Sequence, residues 1–597
     1  MPIIKTKKLL LVILSLLLIA LLLLAAINIT IDPFGVFGDR FLDWYAFNIT
    51  RNPQAAKLAY LKKHSGEFDS FIIGGTAASA YSPVRLEEYT GGKYYNLFYD
   101  GADMESNVLL IQHLLDNYDV KNIVLPLELE DGTAFATPSG VLSPALGGSA
   151  FRFYTKYLFA NPRIAASKVK SRINDGYLPQ PFDLYSAETG MYNRTVRDVE
   201  FVGGTAQDYA ATTSFAEPVF PPLPDTNALT ENLAKIRDMC AENGVTLTVI
   251  LTPQYSKRLE AYVNGELDRF RAALAEAVDY WDFSDTSLSS DARYFYDANN
   301  MRNALGDMAL ARIYGDANVW YPPDFGTFIK RGEVVTHENT TETTCTAEIP
   351  VLLYHHFAEE GAPSTVVSAG DFEEQMSALK NAGYTAVTPA QLIDFVDRGI
   401  DLPEKPILIT IDDGYMSNYD VAYPILQSYG MKATIFAIGV SVGKDTYKDT
   451  GEPIIPHFGN AEMLEMTSSG VVSVQSHTFD MHQTEAFDNP CRDGVLRMEG
   501  EPEEEYIDHF RKDIKRSRDE IEAATGEHVT ALAFPGGKRD TLADVLLREA
   551  GIRLTFTTES GINIIAKGLP ESLYRLRRFN VEGGVTGTEL INMIEKK

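Results

Sequence analysis

The chain has 597 residues, 45% of them hydrophobic and 11% aromatic, and 82 acidic against 53 basic side chains leave a net charge of −29. That length exceeds what one hydrophobic core supports, so two or more folded units are predicted, and the composition excludes a disordered chain. The acidic balance argues against nucleic acid as a partner. Cys240, Cys345 and Cys491 are too few and too scattered for a disulfide framework or a cysteine zinc site. They are read as isolated thiols in preference to a Cys345–Cys491 bridge.

Residues 9–29 form an apolar run without a charge, long enough as a helix to cross a bilayer. Lys5, Lys7 and Lys8 precede it and Asp32 and Asp39 follow it, which orients the N-terminus to the cytoplasm and exports the rest. A cleaved signal peptide would have a shorter apolar core and a small-residue cleavage site, so an uncleaved single-pass anchor is favoured.

Beyond the anchor, strand-like runs at 70–73, 122–125 and 246–251 alternate with helical stretches such as 227–242, the pattern of an α/β domain with a mainly parallel sheet. A polar, threonine-rich stretch at 337–348 reads as a linker. From residue 349 onward, runs at 351–354, 407–411, 433–438, 471–474, 531–534 and 554–557 again alternate with helices, predicting a barrel-like α/β domain. In the helix near 503–525, Ile507, Phe510, Ile514 and Ile521 share one face and Gly526 offers a C-terminal cap. The expected division is 1–30 anchor, 31–336 first domain, 337–348 linker and 349–597 second domain.

Three short motifs carry the chemistry. Thr410-Ile-Asp-Asp-Gly414 follows an apolar strand, and the turn that Gly414 permits can bring Asp412 and Asp413 to one pocket at the strand's carboxyl end. Ser476-His-Thr-Phe-Asp-Met-His482 follows the next strand but one. Its two imidazoles plus one carboxylate make a facial site for a divalent ion with positions left open, which suits hydrolysis. Ala533-Phe-Pro-Gly-Gly-Lys538 is a glycine-rich turn able to aim a backbone N–H at a developing oxyanion. Singly, each also reads as a surface turn, solvent-facing histidines or a strand terminator; their order after separate strands favours a site. The remaining histidines, His64, His113, His337, His457, His509 and His528, lack such neighbours and are read as structural or exposed.

Over residues 349–597 these motifs resemble the NodB-homology polysaccharide deacetylases, carbohydrate esterase family 4, whose distorted (β/α) barrel is then the expected fold. The family's Thr-Phe-Asp-Asp-Gly stands here as Thr410 to Gly414 with Ile411 replacing Phe, its histidine motif as His477-Thr478 with His482, and its proline motif as Phe534-Pro-Gly-Gly537. The resemblance implies Asp412 as general base, Asp413, His477 and His482 as ligands of a divalent metal, zinc first with cobalt or nickel as alternatives, and the Gly536 N–H as oxyanion donor. Two departures stand out. The histidine spacing is one residue wider than the common form, as in the branch acting on poly-β-1,6-N-acetylglucosamine, and the late Leu-x-His that supplies the general acid is replaced by Leu573-Tyr-Arg-Leu-Arg-Arg578. In that branch a Tyr-His on the first strand is catalytic, which points to His355 in Tyr354-His355-His356 as acid or oxyanion partner.

The first domain resembles, over shorter blocks, the flavodoxin-like SGNH hydrolases of cell-surface acylation systems. Thr76 stands at the serine position, Gly101 at the oxyanion glycine, and Asp297 with Asn300 where Asp-x-x-His is expected. An amide cannot act as a general base, so a non-catalytic scaffold or glycan-binding module is expected. The combined expectation is an enzyme on the outer face of a bacterial membrane that removes N-acetyl groups from peptidoglycan or an exopolysaccharide, alongside glycan synthesis or export machinery. The alternatives are an O-acetyl ester hydrolase and a non-catalytic glycan-binding surface protein.

Overall fold

The computed structural model describes residues 2–38, 48–99, 101–129, 149–175, 183–192, 194–215, 223, 226–333, 345–360 and 365–595. Residues 337–344 of the expected linker, with His337, lie outside the described residues, as do Asp39 and the side chains of Lys5 and Lys7. The chain divides into two compact units. The first takes in residues 1–194, 210–316 and 322–343; the second takes in 195–209, 317–321 and 344–597. Two short stretches from ahead of the linker thus pack within the second unit: Gly203 accepts a backbone hydrogen bond from Ile564, and Trp320 N donates to Asp397 O.

The first unit begins with helix α1 (Pro2–Ile31). Within it Lys8–Ile31 is long and apolar enough to cross a membrane, with mean hydropathy 3.3. Strands β1 (Ser70–Ile72), β2 (Tyr94–Asn96), β3 (Asn122–Leu127), β4 (Thr246–Leu251), β5 (Tyr280–Asp282) and β6 (Thr327–Ile329) form one sheet in the order β2-β1-β3-β4-β5-β6. All neighbours are parallel except β5 with β6. Phe71, Ile123, Leu125, Val249 and Leu251 from its strands are buried in one core, as a parallel sheet covered by helices requires.

The second unit is built on β7 (Val351–Tyr354), β8 (Thr385–Ala386), β9 (Pro406–Asp413), β10 (Ala433–Ala437), β11 (Val472–Ser476), β12 (Ala531–Ala533), β13 (Leu554–Phe556) and β14 (Phe579–Asn580). The parallel order is β13-β12-β11-β10-β9-β7-β14, with β8 added beside β9. The sheet curls: Leu576, just ahead of β14, exchanges backbone hydrogen bonds with Thr555 and Thr557 at the β13 end, while β14 pairs with β7. The short segment 576–580 therefore bridges the two edges. Inside the curl Val351, Leu408, Phe436, Ala531, Ala533, Leu554, Phe556 and Leu576 are fully buried together.

The strands fall within one or two residues of the sequence expectation, and the long helix spans Glu503–Thr525 with Gly526 in the left-handed conformation at its end. One detail differs. Strand β9 runs through both aspartates, and the turn starts at Asp413 itself (φ 76°) and continues through Gly414 (φ 84°). Aspartate tolerates the left-handed region better than most residues, so the chain reverses one position earlier than glycine alone would dictate. A Cβ at Gly414 would lie 3.3 Å from both Ala437 Cβ and the Phe458 ring, on top of its positive φ. Gly414→Ala is therefore expected to cost about 1–3 kcal/mol, read as a lower urea midpoint at unchanged slope.

Candidate metal centre and active site

Four strand ends assemble the site. β9 supplies Asp412 and Asp413, β11 leads into His477, β12 contributes the Ala533 carbonyl, and β7 ends one residue before His355. His477 Nε2 lies 3.5 Å from Asp413 Oδ1, and His482 Nε2 lies 3.6 Å from the same oxygen. The three ligand atoms fall within 4.8 Å of one another. His477 Nδ1 is 2.8 Å from the Ala533 carbonyl oxygen, an acceptor only, so Nδ1 carries the proton and the Nε2 lone pair faces Asp413. Burial first, opposed by the charge of Asp412, pushes the His477 imidazole down to about 4. It is neutral near pH 7 and cannot satisfy a carboxylate by donating from Nε2. Asp413 Oδ1 is accordingly a buried oxygen with no hydrogen-bond partner. A buried carboxylate oxygen facing the His477 lone pair is a repulsion that a cation would remove, and with His482 Nε2 at a similar distance the oxygen and nitrogen donors suit zinc and its neighbours.

Asp412 is satisfied differently. Arg578 Nη1 and Nη2 donate to its two oxygens at 2.7 and 2.8 Å, and both side chains are almost completely buried. Burial alone would raise the Asp412 carboxyl; the Arg578 guanidinium outweighs it, His477 adds to the effect, and the group is held at about 2. Arg578 is itself fixed by donation from Nε to the Thr557 carbonyl at 2.8 Å. It sits on the segment that bridges the sheet edges, which is why a residue so distant in sequence reaches β9. The sequence marked only the missing Leu-x-His here; nothing local distinguishes Arg578 from Arg575 or Arg577, and only the pairing of β14 with β7 selects it.

The histidine loop is held in an unfavourable conformation. Thr478, a β-branched residue, has φ 68°, a strain on the order of 1–3 kcal/mol. The helix Glu503–Thr525 over-determines it with two residues one turn apart. Asp513 accepts the Phe479 and Asp480 N–H groups at 2.8 and 2.7 Å, and the Ser517 hydroxyl pairs with that of Ser476 at 2.8 Å, which in turn accepts Thr478 N–H at 3.1 Å. Asp513, Ser517 and Ser476 are buried. They escaped the sequence reading because Asp513 lies beside the apolar face of a helix that looks amphipathic.

His355 is half-buried with an unpartnered Nδ1, close enough for its charge to act on Asp412. Gly536 is exposed in the left-handed conformation on the turn after β12, whose own hydrogen bonds run from Gly537 and Lys538. His457, read from sequence as structural or exposed, is buried, lies within electrostatic range of Asp413 and His482, and packs its ring 4.8 Å from Tyr415. Burial first lowers its imidazole. The sequence gives no hint of it because the segment that carries it pairs with the turn at 414–416 through Phe458 N to Gly414 O and Met416 N to Pro456 O.

In the first unit, Thr76 opens a short 3₁₀ turn after β1 and Gly101 is exposed in a turn. The Asn300 amide nitrogen donates to Asp297 at 2.8 Å. Among the described residues all three cysteines are free thiols.

A curled parallel sheet with a His/Asp cluster on the loops after its strands defines an α/β domain of half-barrel type. Residues 399–555 match the family model Polysaccharide deacetylase. YxkH of Bacillus subtilis (strain 168), named as a polysaccharide deacetylase, is 29% identical over 249 residues, 42% of this chain and 77% of its own. The poly-β-1,6-N-acetyl-D-glucosamine N-deacetylase of Escherichia coli (strain K12) is 27% identical over 225 residues, 35% of this chain and 34% of the relative. Its counterpart in Staphylococcus aureus (strain MRSA252) is 25% identical over 193 residues, 32% of this chain and 61% of the relative. This chain thus spans about a third of the E. coli relative. Among solved structures, IcaB from Ammonifex degensii aligns at 25% identity over 41% of this chain and 96% of that one, with a TM-score of 0.35. The second unit is a polysaccharide deacetylase domain of the NodB-homology type, carbohydrate esterase family 4. His355 and Arg578 both fall outside the matched stretch.

Two outcomes follow from the geometry. Arg578→Met, which strands a buried carboxylate, should cost about 3–5 kcal/mol in urea unfolding, whereas adding Asp412→Asn should recover most of that loss. Asp513→Asn should weaken metal affinity about 10–100-fold in chelator competition, since its amide presents hydrogens to one of two N–H groups.

Proposed function

We propose that the protein is a metal-dependent deacetylase that hydrolyses N-acetyl groups from an amino-sugar polysaccharide at the cell surface. The observation that carries the reading is the buried, unpartnered oxygen of Asp413 facing the Nε2 atoms of His477 and His482, beside a second carboxylate already neutralised by Arg578. The relatives named as poly-N-acetylglucosamine deacetylases support the substrate class.

A divalent ion held by Asp413, His477 and His482, zinc first, would polarise the acetamide carbonyl and acidify the attacking water. The residues of the chain do the rest. Asp412, ionised and fixed in orientation by Arg578, accepts a proton from that water as the new C–O bond forms. The Gly536 N–H faces the developing oxyanion. His355 gives a proton to the amine nitrogen as the C–N bond breaks, and the protons left on Asp412 and on the released acetic acid pass to the free amine and back to His355, leaving acetate and a cationic sugar. Helix α1 holds the enzyme at the membrane with both units outside. The first unit serves as a non-catalytic scaffold or glycan-binding module, a reading supported by Asn300, whose amide is spent on Asp297.

The test is acetate release from β-1,6- and β-1,4-linked N-acetylglucosamine oligomers and peptidoglycan by the full chain in detergent, stripped of metal and reloaded. Metal-restored release is expected, falling at least about 100-fold in Asp412→Asn and His477→Ala. His355→Ala should lower kcat while metal content by mass spectrometry stays unchanged; unaltered kcat would remove His355 from the mechanism. Release from O-acetyl esters but from no amide would replace the proposal with an esterase.

A further inference from the structure

The described part of the first unit contains a region whose charge contradicts the rest of the chain. Helices α2 (Ala150–Leu158) and α3 (Pro162–Asp175) span a stretch in which Arg152, Lys156, Arg163, Lys168, Lys170 and Arg172 occur without an acidic residue before Asp175, in a chain of net charge −29. The same two helices bear the two most exposed large apolar side chains outside α1: Phe151 is 80% exposed and Ile173 is 76% exposed. Phe159, at the end of α2, is 46% exposed.

Both helices pack against the exit end of α1. Asn28 Nδ2 donates to the Leu158 and Ala160 carbonyls, each at 3.0 Å, and Lys168 Nζ donates to the Asp32 carbonyl at 2.9 Å. The inner face of α2 docks through Phe153 and Tyr157, one turn apart, on Phe34, Val36 and Phe37. The outer face is left with Phe151, Arg152 and Lys156 exposed, and Arg163 and Lys170 are exposed on α3. Lys8–Ile31 as a helix is about 36 Å long against a hydrocarbon layer of about 30 Å, so Asn28 falls at the boundary where the helix leaves the bilayer. What is bonded to Asn28 lies at headgroup level. A cleft of about 600 Å³ opens beside it, lined among others by Ile29, Phe37, Tyr60, Tyr154, Lys62 and Lys63, the mixture of aromatic and basic groups suited to that level.

From this juxtaposition we infer that α2 and α3 form a membrane-surface platform that binds the anionic phospholipid of the outer leaflet, with Phe151, Phe159 and Ile173 entering the interface and Arg152, Lys156, Arg163 and Lys170 contacting headgroups. The platform seats the first unit on the bilayer instead of leaving it tethered by α1 alone. Anionic lipid is the occupant because every charged residue from 150 to 174 is basic, while the strongly acidic remainder of the protein is repelled by the same surface. The inference rests on reading α1 as a membrane span.

The experiment uses the full chain with Cys345→Ser and Cys491→Ser, reconstituted in phosphatidylcholine vesicles with or without phosphatidylglycerol. A nitrobenzoxadiazole label is placed at Phe151→Cys in one sample and at Leu16→Cys in another. With phosphatidylglycerol present, the label at 151 should shift its emission to the blue and be quenched by nitroxide near the headgroup. Both effects should diminish in phosphatidylcholine alone, in high salt, and in Arg152→Glu/Lys156→Glu/Lys170→Glu. The salt arm needs no variant and decides the matter if the triple variant does not fold. A water-like label at 151 while the label at 16 reports the bilayer interior overturns the platform; insertion that ignores phosphatidylglycerol and salt overturns the anionic-lipid assignment. A water-like label at 16 overturns the membrane span itself, and the platform with it.

Discussion

Two carboxylates on consecutive residues of a buried strand are the constraint around which the second unit is organised. Asp412 and Asp413 retain 4% and 9% side-chain exposure, and two ionised groups at that depth are tolerable only if each finds a positive partner. Asp412 finds Arg578. Asp413 Oδ1 faces Nε2 of His477 and of His482 and has no hydrogen-bond partner. The site is thus an incomplete charge balance, closed by the fold at Asp412 and left open at Asp413.

That asymmetry explains the supporting structure. The lone pair of His477 is available because its other nitrogen is committed to the Ala533 carbonyl on the next strand. His482 comes within reach of Asp413 because the loop between the histidines is bent through Thr478 and pinned by Asp513 and Ser517 from a helix behind it. Strain at Asp413 and at Thr478 lies on the two segments that bring ligands, where neighbouring bonds outweigh it. The positions of these side chains are set by hydrogen bonds from residues outside the cluster itself.

How much of this was legible in the sequence follows from the range of the interactions. Strand runs, the long amphipathic helix and the motifs after β9, β11 and β12 are local patterns, and each sits where periodicity and turn residues placed it. Asp413, His477 and His482 converge as their positions after separate strands implied. Arg578, Asp513 and His457 were not legible, because each acts through a partner brought near by strand pairing or helix packing. The start of the turn was misjudged by one residue because the local cue, Gly414, is real but aspartate tolerates the same backbone region. In the first unit Thr76 and Asn300 stand in short blocks, and blocks of that kind fix a sheet's topology less well than they suggest a relative.

The partnership of Asp412 with Arg578 also has a consequence in time. The guanidinium lies 166 residues after the carboxylate it neutralises. Protein chains emerge from the ribosome N-terminus first at about 5–20 residues per second, so the interval between the two is on the order of 10 s. By the end of that interval strands β9 to β13 and the side chains of Asp413, His477 and His482 have been made, but until then the curl has no closing segment and Asp412 has no counterion. The nascent domain therefore carries Asp413, His477 and His482 before Arg578 can reach Asp412, and closure of the sheet by residues 576–580 brings that counterion into place.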